Sequence, residues 1–269
     1  MTADQHTRNP VPADATPEGL ILKPVRLADI GAILLQGAGD YARAPVVSTA
    51  IASFYTVGGW LLAALLFRLN LPYLVYPLAM GFALVAPFVA VAFYAVADQL
   101  GRGTIPGLAG VWRAIRESSS RDLRWMALIT AFAFFIWMDI AAMITLSFFG
   151  ATALDLGALI TEITTTELGM IFLITGHVIG AIIALMVFSI TVVSVPLLYH
   201  RDVDVMTAMI TSVRLVRRNP VPMAVWCLVI ASLIVISIAT VLIGLLVILP
   251  VVGYASWHLY RRAVAFPSQ

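Results

Sequence analysis

The sequence has very little charge, a single lysine and a single cysteine. Only 11% of its 269 residues are charged and 61% are hydrophobic, whereas a soluble domain carries roughly 25% charged residues. This deficit indicates a membrane protein. The lone Cys227 excludes an intramolecular disulfide and a cysteine-based metal site. A net charge of +2 is too small to indicate a nucleic-acid partner.

The sequence also lacks the motifs of common enzyme classes. It contains no glycine-rich phosphate loop, no His-Glu-x-x-His run and no nucleophile elbow. No apolar segment directly follows the first methionine, so we expect no cleavable signal peptide. We therefore expect one membrane domain without catalysis of its own, without a cofactor and without a bound metal.

Long apolar runs predict six transmembrane helices, since one span needs about 20 mostly apolar residues. The turn between the last two spans should lie near 239–244, and Thr164 with Glu167 forms a capping-box pattern before the fourth. The expected spans cover approximately 45–67, 73–97, 125–149, 167–199, 220–240 and 244–260.

An Arg-x-Pro-Val pattern at 43–46 recurs at 218–221, and a looser copy lies at 120–124. Each copy ends a stretch with helical amphipathic periodicity and opens a long apolar run. The fold class that this predicts is all-α: a polytopic membrane helix bundle of six transmembrane helices in three hairpins, each preceded by an in-plane amphipathic helix. The alternative is that proline-initiated spans with basic flanks are simply common.

The same pattern divides the chain into an N-terminal tail, a membrane domain and a C-terminal tail. Residues 1–25 are polar and rich in proline, which predicts a disordered cytosolic tail. The six-span membrane domain should cover 26–264, and 265–269 form the C-terminal tail. The expected pseudo-repeats cover about 26–98, 99–199 and 200–264.

The distribution of arginine predicts the orientation of the chain. The loops at 98–124 and 201–219 are rich in arginine, and the sequence ends shortly after Arg261 and Arg262, whereas 151–167 contain no Lys or Arg. Because basic residues in short loops mark the cytosolic side, both termini and all three amphipathic helices should lie in or on the cytosol.

Two terminal segments resemble a known family. Residues 249–262 read Leu-Pro-Val-Val-Gly-Tyr-Ala-Ser-Trp-His-Leu-Tyr-Arg-Arg, and 37–45 read Gly-Ala-Gly-Asp-Tyr-Ala-Arg-Ala-Pro. The first is similar to the closing signature of the bacterial DUF2189 family of predicted integral membrane proteins, and the second to that family's entry into its first span. The resemblance covers about 26–264. It departs from the family at Tyr254, where members usually have histidine.

The resemblance implies a bacterial inner-membrane protein of uncharacterised function, and some family members carry the label cytochrome c oxidase. A haem–copper catalytic subunit needs a set of intramembrane histidine ligands, but only His177 lies well inside a predicted span. The sequence is therefore not that of a haem–copper catalytic subunit, and the label cannot be taken literally. A non-catalytic accessory, assembly or scaffold component remains, with a respiratory (terminal oxidase) complex as one candidate partner. The alternative is a small-molecule or ion transporter or channel.

Asp139 and His177 are the sharpest candidate site. Asp139 lies about ten residues before the outer end of span three, and His177 about ten residues after the start of span four. At 1.5 Å per residue both lie about 15 Å below the outer surface. An ionisable group at this depth is a functional candidate. Three interpretations are open. The two residues bind a proton, an ion or a polar ligand together, they form a hydrogen bond that only fixes the helices, or they do not touch.

Two further groups of residues are candidates at the cytosolic side. Trp257, His258 and Tyr260 form either a haem or quinone contact or an interfacial aromatic belt, with Arg261 and Arg262 reaching the head groups. A set of cytosolic arginines either sets the topology alone or binds anionic lipid head groups, respiratory-complex subunits or a second copy of the chain. This set contains Arg113, Arg116, Arg121, Arg124, Arg214, Arg217, Arg218 and Arg262.

Overall fold

The computed structural model describes residues 20–118 and 121–266, and the described chain is built almost entirely from helices. Eleven α-helices and two short 3-10 helices, Pro72–Leu74 and Gly150–Leu154, form within these residues. The α-helices are α1 Leu27–Arg43, α2 Pro45–Arg68, α3 Val75–Gly101, α4 Leu108–Ser118, α5 Arg121–Phe149, α6 Leu156–Thr165, α7 Glu167–Thr191, α8 Ser194–His200, α9 Val205–Arg218, α10 Pro220–Ala239 and α11 Leu245–Ala263.

Five helical segments of the described chain are long and apolar enough to cross a membrane. The expected all-α membrane fold is therefore confirmed. The sixth expected span corresponds to α11, which is not among the five and carries His258, Arg261 and Arg262 in its second half. The five segments are Pro45–Arg68, Leu84–Gly101, Asp122–Leu154, Glu167–His200 and Pro220–Ala239.

The two Arg-x-Pro-Val patterns form the same local structure. Pro45 and Pro220 each occupy the first turn of a long helix, where the missing N–H has no intrahelical partner to lose. The preceding residues, Ala44 and Asn219, have nearly identical backbone angles, with φ −137° and ψ 53° against φ −128° and ψ 56°. An amphipathic helix therefore meets an apolar helix through the same junction twice. The third junction, at 119–120, lies outside the described residues.

The segment between spans three and four differs from the prediction. It forms α6, so Thr164 lies inside a helix and its hydroxyl donates to the Ile160 carbonyl at 2.7 Å. The N-cap of α7 is Thr166, whose extended backbone lets its Oγ1 accept from the Gly169 N–H at 2.9 Å. The predicted cap at Thr164 is therefore wrong by two residues.

The fourth apolar run is one expected span but contains two helices. The α-helical structure breaks between Thr191 and Ser194, where α7 ends and α8 begins. Pro196 has no N–H to donate to the carbonyl four residues earlier, at Val192. The break therefore falls where that helical hydrogen bond is missing, before Pro196 itself.

Part of the expected N-terminal tail is packed against the bundle. Leu20, Leu22 and Val25 are buried. Residues 21–22 form a two-residue antiparallel ladder with 264–265, and the Val25 N–H donates to the Asn219 side chain at 2.8 Å. The expected tail thus does not include 20–25, because these apolar residues bury surface that a free tail would leave in water. Residues 1–19 lie outside the described part.

The densest packing surrounds α11, which lies between α1 and α3. A Cβ added at Gly37 in α1 would come within 2.5 Å of the Val251 carbonyl oxygen, and one at Gly253 within 2.8 Å of the Phe93 Cβ. Tyr254 and Tyr260 of α11 are fully buried. The α1 helix therefore lies directly against the α11 backbone, which requires glycine at 37, and the Phe93 side chain of α3 packs on Gly253.

We predict that Gly37→Ala lowers the free energy of unfolding by about 1–3 kcal/mol, because the methyl group overlaps the α11 backbone. Gly39→Ala is the matched control on the same helix. A Cβ there has no neighbour within 4 Å, so this change should raise stability by up to about 1 kcal/mol. Denaturant titration of the protein in mixed micelles measures both; equal stability of the two variants would contradict the close contact.

Candidate functional site

Asp139 lies on the outer face of α5. Trp137 points inward, and two residues further along a helix is a rotation of about 200°, so the Asp139 side chain is exposed. It forms no hydrogen bond or ion pair with any described residue. Its neighbours along this face are exposed and apolar, including Phe132, Phe135 and Met143.

His177 forms its hydrogen bonds with other partners. Its Nδ1 lies 2.7 Å from the Leu173 carbonyl oxygen, and its Nε2 lies 3.1 Å from the Tyr76 hydroxyl. A carbonyl only accepts, so Nδ1 carries the proton, and in the neutral ring Nε2 accepts from the Tyr76 O–H. No pattern in the sequence predicted Tyr76 as a partner of His177.

Asp139 and His177 therefore do not form a hydrogen-bonded pair in the structure. Trp137 of α5 contacts α7 at Gly180, since a Cβ there would lie 2.9 Å from the indole. This contact sets Asp139 and His177 at comparable heights on the two antiparallel helices. His177 lines the crevice described below, whereas Asp139 does not.

An apolar crevice of about 620 Å³ opens beside His177. One wall consists of the first turns of α3 and the middle of α7, with Trp137 at the back. The other wall includes Phe67 of α2 and Ile238 of α10, and α6 covers one end. The indole N–H of Trp137 donates to the Pro77 carbonyl at 2.8 Å. Among the described residues no Asp, Glu, Lys or Arg lines the crevice, and Asp139 is not part of its wall.

Trp257, His258 and Tyr260 face the interior of the protein. Trp257 and Tyr260 are buried, and the Trp257 ring stacks on Tyr94 with 5.9 Å between centroids. An aromatic belt would expose such rings to the membrane interface. The Tyr260 hydroxyl lies 2.8 Å from His200 Nδ1. These aromatic rings pack α11 against its neighbours.

His258 contacts the buried carboxyl of Asp40, which no sequence pattern had marked as a candidate. Its Nε2 lies 2.7 Å from Oδ2 of Asp40, whose side chain is only 9% exposed. Arg43 donates to the same carboxyl at 3.2 Å and to the Leu100 carbonyl at 3.2 Å. Asp40 follows Gly37 by three residues and so lies on the same helix face. That spacing was the available signal for Asp40.

The two segments that carry the family resemblance thus meet in space. Gly37 and Asp40 belong to 37–45, and their partners Ala255 and His258 belong to 249–262. Tyr254, where the family usually has histidine, hydrogen-bonds the Ser48 hydroxyl at 2.5 Å. In this chain that position therefore joins α11 to α2.

Most arginines of the candidate docking set are exposed, and Arg262 is half-buried. The exposed ones are Arg113, Arg116, Arg124, Arg214, Arg217 and Arg218. The side chain of Arg121 lies outside the described part. Arg262 contacts protein, since its Nη1 donates to Asp29 at 2.5 Å. The backbone N–H of Arg26 and the Arg262 guanidinium both lower the pKa of the Asp29 carboxyl.

Exposed apolar side chains accompany these arginines. On α9, Met206 and Ile210 are exposed beside Arg214, whereas Thr211 and Leu215 are buried. On α4, Leu108 and Trp112 are exposed next to Arg113 and Arg116, which also belong to the docking set. Within the described chain, no group of three or more His, Cys, Asp or Glu side chains could hold a metal ion.

We predict that Asp40→Ala lowers the free energy of unfolding by about 1.5–3 kcal/mol, because His258 loses a charge-assisted partner inside the bundle. Arg43→Ala should cost less, since the Arg43 side chain is 57% exposed. A double-mutant cycle of Asp40→Ala and His258→Ala in mixed micelles measures the coupling. Strictly additive effects would rule out a direct stabilising contact.

The comparisons with known proteins agree with the membrane fold. A family model described as predicted integral membrane protein (DUF2189) matches residues 75–200. This match covers α3 to α8 and includes Tyr76, Asp139 and His177; it is narrower than the expected 26–264 and contains neither terminal segment. No curated protein and no solved structure matches the chain. Residues 75–200 are therefore similar to the DUF2189 family of predicted integral membrane proteins.

Proposed function

We propose that this protein is a non-catalytic accessory or scaffold component of a bacterial inner membrane, and that it binds a partner protein through the outer face of α5. Asp139 carries this proposal. It lies exposed in the middle of a long apolar helix, on an apolar face, with no partner among the described residues. A structural role inside the bundle would instead pair this carboxyl with another helix of the same chain.

The energetic argument concerns the carboxyl group in the membrane. A carboxylate at the centre of a span costs roughly 2.5–3.5 kcal/mol on insertion scales, and such residues almost always face protein or a water-filled cavity. The crevice does not reach Asp139. A second transmembrane helix laid along α5 would cover both the apolar face and the carboxyl.

The chemistry of Asp139 specifies this partner helix. It should carry a hydrogen-bond donor, such as the side chain of Arg, Lys, His, Asn or Gln, at the depth of Asp139. A second copy of this chain would instead bring two Asp139 carboxyls to the same depth, where both cannot be ionised. A different protein therefore fits this face better than a second copy does. The family label suggests a respiratory complex as the assembly to test first.

Six spans with both termini in the cytosol fit this role best. The Val205 N–H donates to the Asp122 side chain at 3.3 Å, so the start of α5, which carries Arg121 and Arg124, lies beside the start of the arginine-bearing helix α9. Residues 150–165, at the other end of α5, contain no Lys or Arg. Polar residues of α11 are paired within the protein, as His258 is with Asp40, so α11 can cross the membrane as an interior helix.

The three amphipathic helices would then lie on the cytosolic membrane surface. Exposed apolar side chains next to arginine, such as Trp112 with Arg113 and Ile210 with Arg214, are typical of helices at the head-group boundary. Anionic lipid head groups would bind these arginines. This arrangement orients the protein in the membrane and leaves the face of α5 available to a partner.

Transport is the less well supported alternative. A transporter that uses Asp139 and His177 needs a polar passage to both residues. The crevice lining is apolar apart from a few hydroxyl and ring groups, and Asp139 is outside it. The exposed apolar face of α5 instead supports a docking role.

We predict that a photo-crosslinking amino acid at Met143 captures a partner membrane protein in native membranes, whereas the same amino acid at Leu228 of α10 does not. The two positions are equally exposed, at 67% each. Asp139→Leu should abolish the Met143 adduct, and Asp139→Asn should weaken it, because the amide keeps only part of the hydrogen bonding. Mass spectrometry of the adduct identifies the partner.

Subunits of a terminal oxidase in that adduct would support the respiratory assignment. An adduct of two copies of this chain alone would contradict the accessory role and indicate an oligomer. Equal capture at Met143 and Leu228, unaffected by Asp139→Leu, would remove α5 as a specific docking face.

The six-span topology predicts opposite accessibility for two introduced cysteines. In a Cys227→Ser background, Thr161→Cys on α6 should react with a membrane-impermeant maleimide in spheroplasts, and Thr104→Cys only after lysis; both positions are exposed. A C-terminal epitope should be protected from external protease. If external protease removes the epitope, α11 does not cross the membrane and only the five apolar segments span it.

A further inference from the structure

We propose that the crevice between α3, α7 and α10 is a binding site for a single-chain lipid-soluble molecule with an uncharged hydroxyl group, such as a long-chain alcohol or phenol. The site is independent of the docking face, since Asp139 does not line it. Its volume of about 620 Å³ lies within the range of roughly 300–1,000 Å³ that ligand pockets occupy. Its apolar walls require a ligand that is mostly hydrocarbon.

The Tyr76–His177 pair specifies the polar end of the ligand. Both residues line the crevice. His177 Nδ1–H is occupied by the Leu173 carbonyl, and Nε2 accepts the Tyr76 O–H. The Tyr76 oxygen keeps a lone pair but has no proton left to donate. A ligand hydroxyl that donates to this oxygen therefore fits better than a carbonyl or an ether.

The lining of the crevice disfavours a charged head group. No Asp, Glu, Lys or Arg among the described residues lines it, so a phosphate, carboxylate or ammonium group would find no opposite charge there. An unpaired charge in an apolar site is costly. The ligand is therefore an uncharged molecule that can enter the hydrocarbon region.

Gly176 allows the crevice to be blocked without disturbing the fold. It lines the crevice, and a Cβ added there has no neighbour within 4 Å. Gly176→Leu therefore places a side chain in the open space next to His177. Gly58→Leu on α2 is the matched control, because a Cβ at Gly58 also has no neighbour within 4 Å and Gly58 does not line the crevice. Both changes also replace glycine in a helix, which favours the helical state.

The test uses the purified full-length protein in detergent micelles and a hexadecanol probe that carries a diazirine in its chain. After photolysis, adducts should map to α3 and α7, and unlabelled hexadecanol should displace the probe. The methyl ether of hexadecanol lacks the donor and should compete about three- to tenfold more weakly, as expected for one hydrogen bond. Gly176→Leu should reduce labelling of α3 and α7 at least fivefold, whereas Gly58→Leu should leave it unchanged.

Tyr76→Phe combined with His177→Leu supplies the decisive variant. Tyr76→Phe removes the accepting oxygen but frees Nε2 of His177 as an acceptor, and His177→Leu removes that acceptor too, so the alcohol and its methyl ether should then compete equally. Equal competition by the two compounds in the unmodified protein would overturn the proposed hydrogen bond. Labelling that is spread over residues outside the crevice lining and unaffected by Gly176→Leu would overturn the site itself.

Discussion

The contact of α11 with α1 and α3 is the interaction on which the rest of the structure depends. Gly37 and Gly253 remove the side chains that would hold these helices apart. At this spacing the polar groups of α11 find partners within the bundle, as His258 does with Asp40. A helix that could not pair these groups would be costly inside a membrane. The close backbone approach and the polar pairing therefore require each other, and together they join the two ends of the chain.

The same arrangement leaves the other half of the molecule loosely packed. The turn between α10 and α11 reaches only to the middle of α2, where the Trp60 indole donates to the Val241 carbonyl at 2.7 Å. Beyond this contact the last turns of α2, including Leu61 and Leu65, are exposed. The crevice opens in this region, between the end of α2 and α7. A tightly packed end thus holds the chain together, while the open end offers surface to a ligand.

The sequence predicted helix boundaries correctly where a single residue or a short segment determines them. Proline without an N–H begins α2 and α10 at Pro45 and Pro220, and the break before α11 falls at 240–244 as expected. The prediction of a helix boundary was wrong where several neighbouring residues could each serve as the N-cap. Several consecutive threonines could cap α7, and the formation of α6 left only Thr166 free to do so. Asp40 is buried because Gly37 brings that face of α1 against α11.

The sequence by itself determined that this is an all-helical membrane protein, where most of its helices begin and end, and how deep each polar residue lies along its helix. Depth follows from a fixed rise of 1.5 Å per residue, and Asp139 and His177 do lie at comparable heights. Only the tertiary structure decided their directions. Trp137, fitted against Gly81 and Gly180, turns the opposite face of α5 outward with Asp139 on it. The direction of a side chain around its helix depends on which neighbours pack against that helix, and those neighbours are distant in sequence.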